Sequence, residues 1–193
     1  ASGKTIMTAE PKFVPKEPAE ICLMEDVKVK VCLVDCVGYM VEGATGHIEN
    51  DSERMVKTPW FDYEIPFSKA AEIGTKKVIN DHSTIGIVVT ADGSFGEIDR
   101  EKYIPAEEKT IRELKSLNKP FVVLLNSLRP ESEDTIKMAK DMESNYNVTV
   151  LPVNCNQLKK LDINTILSAV LKEFPISQIN FNMPGYLDML DFS

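Results

Sequence analysis

Val27 to Tyr39 reads VKVKVCLVDCVGY, and the fold turns on how this stretch is taken. Val27, Val29, Val31 and Leu33 alternate with Lys28, Lys30, Cys32 and Val34. That period of two marks a strand with one buried face. The run ends on Asp35, and Asp35-Cys36-Val37-Gly38 forms a D-x-x-G sequence. At a strand's C-terminal end in nucleotide-hydrolysing α/β domains, a carboxylate helps to hold Mg²⁺, commonly through water. The glycine lets a backbone N–H approach the terminal phosphate. A D-x-x-G recurs by chance in long chains, so a second reading stays open on these residues alone: an aspartate capping a strand-end turn.

Upstream, Ala19 to Met24 reads as another strand, separated from Val27 only by Glu25-Asp26. A connection that short forces an antiparallel hairpin. Farther back, Ser2-Gly3-Lys4-Thr5 looks like the end of a G-x-x-x-x-G-K-S/T phosphate loop. The context is wrong, because such a loop needs a strand before it and a helix after it. Here Pro11, Pro15 and Pro18 exclude a helix and favour extended chain. Thr5 and Thr8 keep an interest of their own. A threonine in an extended segment ahead of D-x-x-G stands where nucleotide switches place a Mg²⁺-binding hydroxyl, although an exposed loop threonine would look the same.

Downstream, periodicity disappears from Tyr39 to Ile65. Gly43, Gly46, Asn50, Asp51, Ser52 and Pro59 predict a long loop, placed as a lid or switch after the D-x-x-G. Trp60, Phe61 and Tyr63 are expected to pack it down. Helices are predicted over Pro66 to Asp81, Pro105 to Leu117, Glu131 to Tyr146 and Asp162 to Phe174, the last with Asp162 as N-cap. Ile85 to Ala91 is a continuous apolar run, the pattern of a central parallel strand buried on both faces. Phe121 to Asn126 and Val148 to Asn154 read as further strands of that sheet, and Ile176 to Met183 as another strand or an exit segment. This alternation predicts an α/β fold with a mostly parallel sheet, one antiparallel hairpin and helices on both faces. Ligands of such sheets bind beyond the carboxyl ends of the strands. Those ends carry Asp35, Ala91-Asp92-Gly93, Asn126-Ser127 and Asn154-Cys155.

Composition narrows the classes. The chain has 193 residues, enough for one domain with a short extension, and is 43% hydrophobic, enough for a sizeable core. Its net charge of −8 gives no electrostatic footprint for nucleic acid. Cys22, Cys32, Cys36 and Cys155 show no C-x-x-C spacing, and His47 and His82 are the only histidines, so a zinc site is not expected. No apolar run spans a bilayer and no signal-peptide pattern is seen, which reads as a cytosolic protein with reduced thiols. The chain begins at Ala1 rather than Met and is taken as a piece of a longer protein.

Asn126-Ser127-Leu128-Arg129 occupies the place where a GTPase carries N-K-x-D. The asparagine fits. Ser127 stands for the lysine, and Arg129 for the aspartate that accepts hydrogen bonds from guanine. A guanidinium only donates. Adenine offers an acceptor at N1, so ATP becomes the better candidate. On these residues alone, Asn126 closing a turn beside a solvated Arg129 is the competing reading. Tyr39 stands where many small GTPases place the glutamine that orients the attacking water, and a phenol cannot reproduce that amide. Hydrolysis is therefore expected to be slow or to depend on assembly.

Gly3 to Pro15 (GKTIMTAEPKFVP), Leu33 to Tyr39, Thr58-Pro59-Trp60, Ile65-Pro66-Phe67, Ala70 to Thr75, His82 to Gly86 and Asn126 to Pro130 together resemble the stage IV sporulation protein A family, coat morphogenetic ATPases of endospore-forming bacteria. The resemblance covers essentially the whole chain. It implies a P-loop GTPase-like domain of the translation-factor type, switched to ATP with Mg²⁺. It gives Asp35 the metal-holding role and puts Thr8 on the sensor-threonine stretch, as a second catalytic and metal residue, with Ala9 where some members carry another threonine. Thr8, Gly38, Asn126, Arg129 and Asn154 become the expected nucleotide contacts. Residues 1–183 would be the hydrolase domain and 184–193 the start of a connection to further regions. The family's phosphate loop precedes this region, so this chain alone is expected to bind nucleotide weakly or not at all. The implied partners are further copies in a homopolymer, other spore coat proteins and a small amphipathic peptide of the forespore membrane, with no nucleic acid. The implied location is the mother-cell cytoplasm at the outer forespore surface. The alternative is a non-hydrolysing scaffold that keeps the fold. A flavodoxin-like or phospho-acceptor module fits poorly, given the hairpin before Asp35 and no acidic pair beside it.

Overall fold

The computed structural model describes residues 12–24, 27–49 and 51–174. β1 (Lys12–Met24) and β2 (Val27–Asp35) form an antiparallel ribbon that brings Lys12 opposite Asp35. β1 begins earlier than its apolar alternation suggests and runs through Pro15 and Pro18. Its register shifts between Val14 and Ala19, where the prolines have no N–H to give the ladder.

The segment expected to be a loop instead forms two short hairpins. β3 (Ile48–Glu49) pairs with β4 (Ser52–Glu53), and β5 (Met55–Thr58) with β6 (Phe61–Pro66). Pro59-Trp60 makes the second turn. α1 (Phe67–Lys77) follows at once and ends in a wider helical turn over Val78–His82. Phe67, Ala70 and Ala71 bury completely against Ile65, and Val37, Met40, Val56 and Phe61 pack around them. This small core anchors the chain that leaves β2. Tyr63 stays 62% exposed, so of the three aromatics Phe61 does most of the packing.

The rest of the described chain alternates: β7 (Gly86–Ala91), α2 (Arg100–Ser116), β8 (Phe121–Asn126), α3 (Glu133–Tyr146), β9 (Val150–Val153) and α4 (Lys160–Lys172). β7, β8 and β9 pair in parallel, with β8 in the middle. The alternation along β8 splits the core. Val123 and Leu125 join Ile111 and Leu114 of α2 and Ala139 and Met142 of α3. Val122 and Leu124 join Ile166 and Val170 of α4 on the opposite face. Helices thus cover both faces of this sheet, as expected.

The expected mostly parallel sheet is not what forms. Among the described residues there are three two-stranded antiparallel pairs and one three-stranded parallel sheet. β1 and β2 satisfy each other and do not join the parallel strands, and the region after Tyr39 adds two more antiparallel pairs. Among the described residues β7 is an edge strand rather than a central one. It is not buried on both faces either: Val88 is 6% exposed, whereas Ile87 and Val89 on the opposite face are 37% and 59% exposed. α4 differs in detail. Asp162 caps from inside the helix, where its carboxylate accepts the Lys159 N–H at 2.8 Å. No described helix is long and apolar enough to cross a membrane. Thr5, Thr8 and the Ile176 to Met183 segment lie outside the described residues.

Candidate functional site

Two cavities border the residues named from sequence, the first between the end of β2 and the first half of β7, the second at the ends of β8 and β9. The first, of about 330 Å³, is bordered by Asp35, Cys36 and Gly38 on one side and by Thr75, Gly86 and Val88 on the other. Asp35 is exposed, and no hydrogen bond or ion pair engages its carboxylate among the described residues. Burial pushes the Cys36 thiol up, against the backbone at Gly38 and the Thr75 hydroxyl, which favour the thiolate. That leaves an unreactive thiol at neutral pH. Gly38 sits at φ +82°, and a Cβ there would meet nothing within 4 Å. The backbone angle, not crowding, calls for glycine.

Tyr39 turns away from this cavity and is buried at 8% exposure. Its hydroxyl donates to Glu113 Oε2 on α2. The Lys109 ammonium lies 4.2 Å from the ring centroid and also pairs with Glu72 of α1 at 2.9 Å. The residue after D-x-x-G is therefore tied to α2, and through Lys109 to α1, and its phenol already has a partner. Burial also raises the Glu113 carboxyl above the ordinary range, which suits a hydrogen-bonded pair away from bulk water.

The second cavity, of about 650 Å³, lies at the ends of β8 and β9 and is lined by Arg129, Glu131, Asn154, Gln157, Lys159 and Asp162, among others. Arg129 and Asn154 thus face one space. Asn126 is not part of that lining. Its Oδ1 accepts the Cys155 N–H at 2.9 Å and its carbonyl accepts the Asp92 N–H at 3.1 Å. Asn126 ties three strand ends together, so the side chain expected to meet a base supports the floor beneath it.

Asp92-Gly93-Ser94 is the turn after β7. Gly93 has φ +87°, and a Cβ there would come within 2.9 Å of the Arg100 backbone nitrogen at the start of α2. Gly96 also has positive φ, +71°, but open space around it. Gly96→Ala is expected to cost about 1 kcal/mol from the backbone angle alone. Gly93→Ala should cost roughly 2–3 kcal/mol because a close contact is added to the same strain. Melting temperatures of the two variants check this, and equal losses would mean that the turn can shift away from α2.

A family model described as "Stage IV sporulation protein A, ATPase domain" matches residues 1–175. The chain belongs to the stage IV sporulation protein A family. It is 53% identical over 190 residues to "Stage IV sporulation protein A" of Clostridioides difficile (strain 630), covering 98% of this chain and 39% of that relative. It is 45% identical over 190 residues to the protein of the same name from Bacillus subtilis (strain 168), with the same two coverages. Against that of Bacillus anthracis it is 44% identical over 191 residues, 99% of this chain and 39% of the relative. The chain thus spans about two fifths of the length of these relatives. No solved structure matches it.

For a member of the stage IV sporulation protein A family, the structure groups the sequence-named residues into two sets. Asp35 and Gly38 border one cavity, and Arg129 and Asn154 the other. Sequence reading missed the anchoring of Tyr39 and the part played by Asp92, which it noted only as a polar strand end. An aspartate followed by Gly-Ser at the end of a parallel strand was the available signal for the second.

Proposed function

We propose that this chain is the nucleotide-hydrolysing domain of a longer coat-assembly protein and that its substrate is ATP with Mg²⁺. The observation that carries this reading is Asp35, an exposed carboxylate that no side chain among the described residues engages, beside Gly38 and a cavity, in a chain of an ATPase-domain family. No group of three or more His, Cys, Asp or Glu is poised for a metal among the described residues. A lone carboxylate suits Mg²⁺, which keeps water and substrate phosphate as most of its ligands. Asp35 would hold the ion through water, Thr8 would add a hydroxyl, and Gly38 would give its backbone N–H to the terminal phosphate. The ion would supply charge neutralisation at the phosphates.

The base would enter the second cavity beside Arg129 and Asn154, with Asn126 holding the floor. Arg129 offers only donors, which match adenine N1 and oppose the ring N–H of guanine. Steady-state hydrolysis of ATP and GTP by the intact protein tests this. ATP is expected to be preferred by roughly tenfold or more, the worth of one unmatched buried hydrogen bond. Equal or better turnover of GTP would sink the adenine reading.

Residues 1–183 form the hydrolase domain in this proposal, and 184–193 lead toward the rest of the protein. ATP hydrolysis would drive self-assembly into the basement layer of the spore coat. Its partners would be further copies, other coat proteins and a small amphipathic forespore-membrane peptide, met in the mother-cell cytoplasm at the outer forespore surface. One observation favours the rival reading of a non-hydrolysing scaffold: the Tyr39 hydroxyl is committed to Glu113. In the ATPase reading, the same contact makes turnover slow until assembly.

A further inference from the structure

The strongest unassigned arrangement is a hydroxyl network that ends on Asp92. The Ser94 N–H and Oγ–H both donate to Asp92 Oδ1, at 2.8 and 2.5 Å. With its proton committed there, Ser94 Oγ turns a lone pair outward and accepts the Leu128 N–H at 2.9 Å. On the other side, Thr135 Oγ1 donates to Asp92 Oδ2 at 3.5 Å, the longest contact of the set. A threonine hydroxyl has one proton. Thr135 accepts from Ser132 at 2.9 Å and lies 3.2 Å from the Ser127 hydroxyl, a contact in which either oxygen is able to donate. Ser127, buried to 1% exposure, accepts the Arg129 N–H at 3.0 Å. The Ser94 and Ser127 oxygens take the backbone N–H groups of Leu128 and Arg129, while Ser132 Oγ takes that of Thr135 at 3.3 Å.

We infer that Asp92, acting through Ser94 and through Thr135–Ser127, is the positioning residue for Arg129 and thereby sets the choice between adenine and guanine nucleotides. This rests on the reading that Arg129 meets the base. Burial alone would raise the Asp92 carboxyl, but the hydroxyls of Ser127, Ser94 and Thr135 and the Ser94 N–H together hold it below the ordinary range. It is thus an acceptor on both oxygens at neutral pH. An amide cannot replace it. If the NH₂ faced Ser94, two donors would meet. If it faced Thr135, it would set its own donor against a hydroxyl that now donates to that oxygen.

The test uses the intact protein and measures KM and kcat for ATP and GTP in Asp92→Asn, Ser94→Ala, Ser94→Thr and Arg129→Ala. Ser94 is exposed, so its variants fold even if Asp92→Asn does not. Asp92→Asn and Ser94→Ala are expected to lower the ATP-over-GTP preference on the order of tenfold, through KM with kcat kept. Ser94→Thr should restore it. Hydrogen exchange in the peptide containing Leu128 and Arg129 should quicken in the Ala variant and not in the Thr variant. If Arg129→Ala erases the preference while Ser94→Ala leaves it intact, the positioning role falls and the base reading stands. If Arg129→Ala itself changes nothing, both fall.

Discussion

Asp35→Ala in the intact protein is expected to lower Mg²⁺-dependent ATP turnover on the order of 100-fold while leaving the fold in place. The stability half of this expectation follows from exposure. The carboxylate has no described partner, and surface substitutions without partners stay within about 0.5 kcal/mol. The catalytic half follows from position. Asp35 is the last residue of β2, its backbone is fixed opposite Lys12, and it stands three residues before a glycine held at φ +82°. A carboxylate that reaches the ion through water orients that water and adds one negative charge. Its loss should therefore show first as a raised Mg²⁺ requirement. Titrating turnover against Mg²⁺ separates this role from a general loss of activity. A variant recovered in part by excess Mg²⁺ fits an outer carboxylate. Turnover within threefold of the parent at every Mg²⁺ concentration would remove Asp35 from the metal role and favour the scaffold reading.

The legible parts of the fold are those whose causes are local. Phe121 to Leu125 is apolar throughout because both its faces are covered, so the run states its own burial. The β1–β2 hairpin follows from a connection of two residues. What failed depends on neighbours that no local pattern names. Gly86 to Ala91 reads like Phe121 to Asn126, yet one strand is an edge and the other a centre, and only pairing decides which. The hairpins after Tyr39 sit among Gly43, Gly46, Asp51, Ser52 and Pro59, which read as loop, although Phe61, Tyr63 and Ile65 alternate with Asp62 and Glu64 at a strand's period; Val56, Phe61 and Ile65 carry the packing. At the site, strand ends could be found from sequence but side-chain partners could not. Tyr39 meets Glu113 across 74 positions, and Asp92 meets Thr135 across 43. Asn126 shows the limit most clearly. Its position beside the cavity was readable, whereas its bond to Cys155, 29 residues later, was not.

Removing Glu107 should have the largest effect on stability. Its side chain is 1% exposed and its partner Arg100 is 14% exposed. The guanidinium grips the carboxylate with two bonds, 2.7 and 2.9 Å, and the Tyr146 hydroxyl adds a third at 2.8 Å. Arg100 also reaches Thr90 Oγ1 at 3.2 Å, so the cluster joins β7, α2 and α3. Glu107→Ala strands a buried guanidinium, which should cost about 3–5 kcal/mol. For a chain of this length that lowers the melting temperature by roughly 10 °C. Tyr146→Phe removes one bond and should cost about 1 kcal/mol. Burial would raise the Glu107 carboxyl, but the bonds from Arg100, Thr90 and Tyr146 and the Arg100 charge overcome it and lower the pKa. A lowered folded value means that the contribution is complete above the unfolded pKa, near 4.5, and is lost as pH falls through the folded value. The gap between parent and Glu107→Ala should therefore be constant at neutral pH and narrow only as pH falls below 4.5 toward the lowered folded value. The double change Glu107→Leu with Arg100→Met separates the pair's net worth from the damage of an orphaned charge. If it melts near the parent, the ion pair contributes geometry at the base of α2 rather than net stability. If Glu107→Ala alone melts within a few degrees of the parent, water must reach Arg100 and the cluster is not closed.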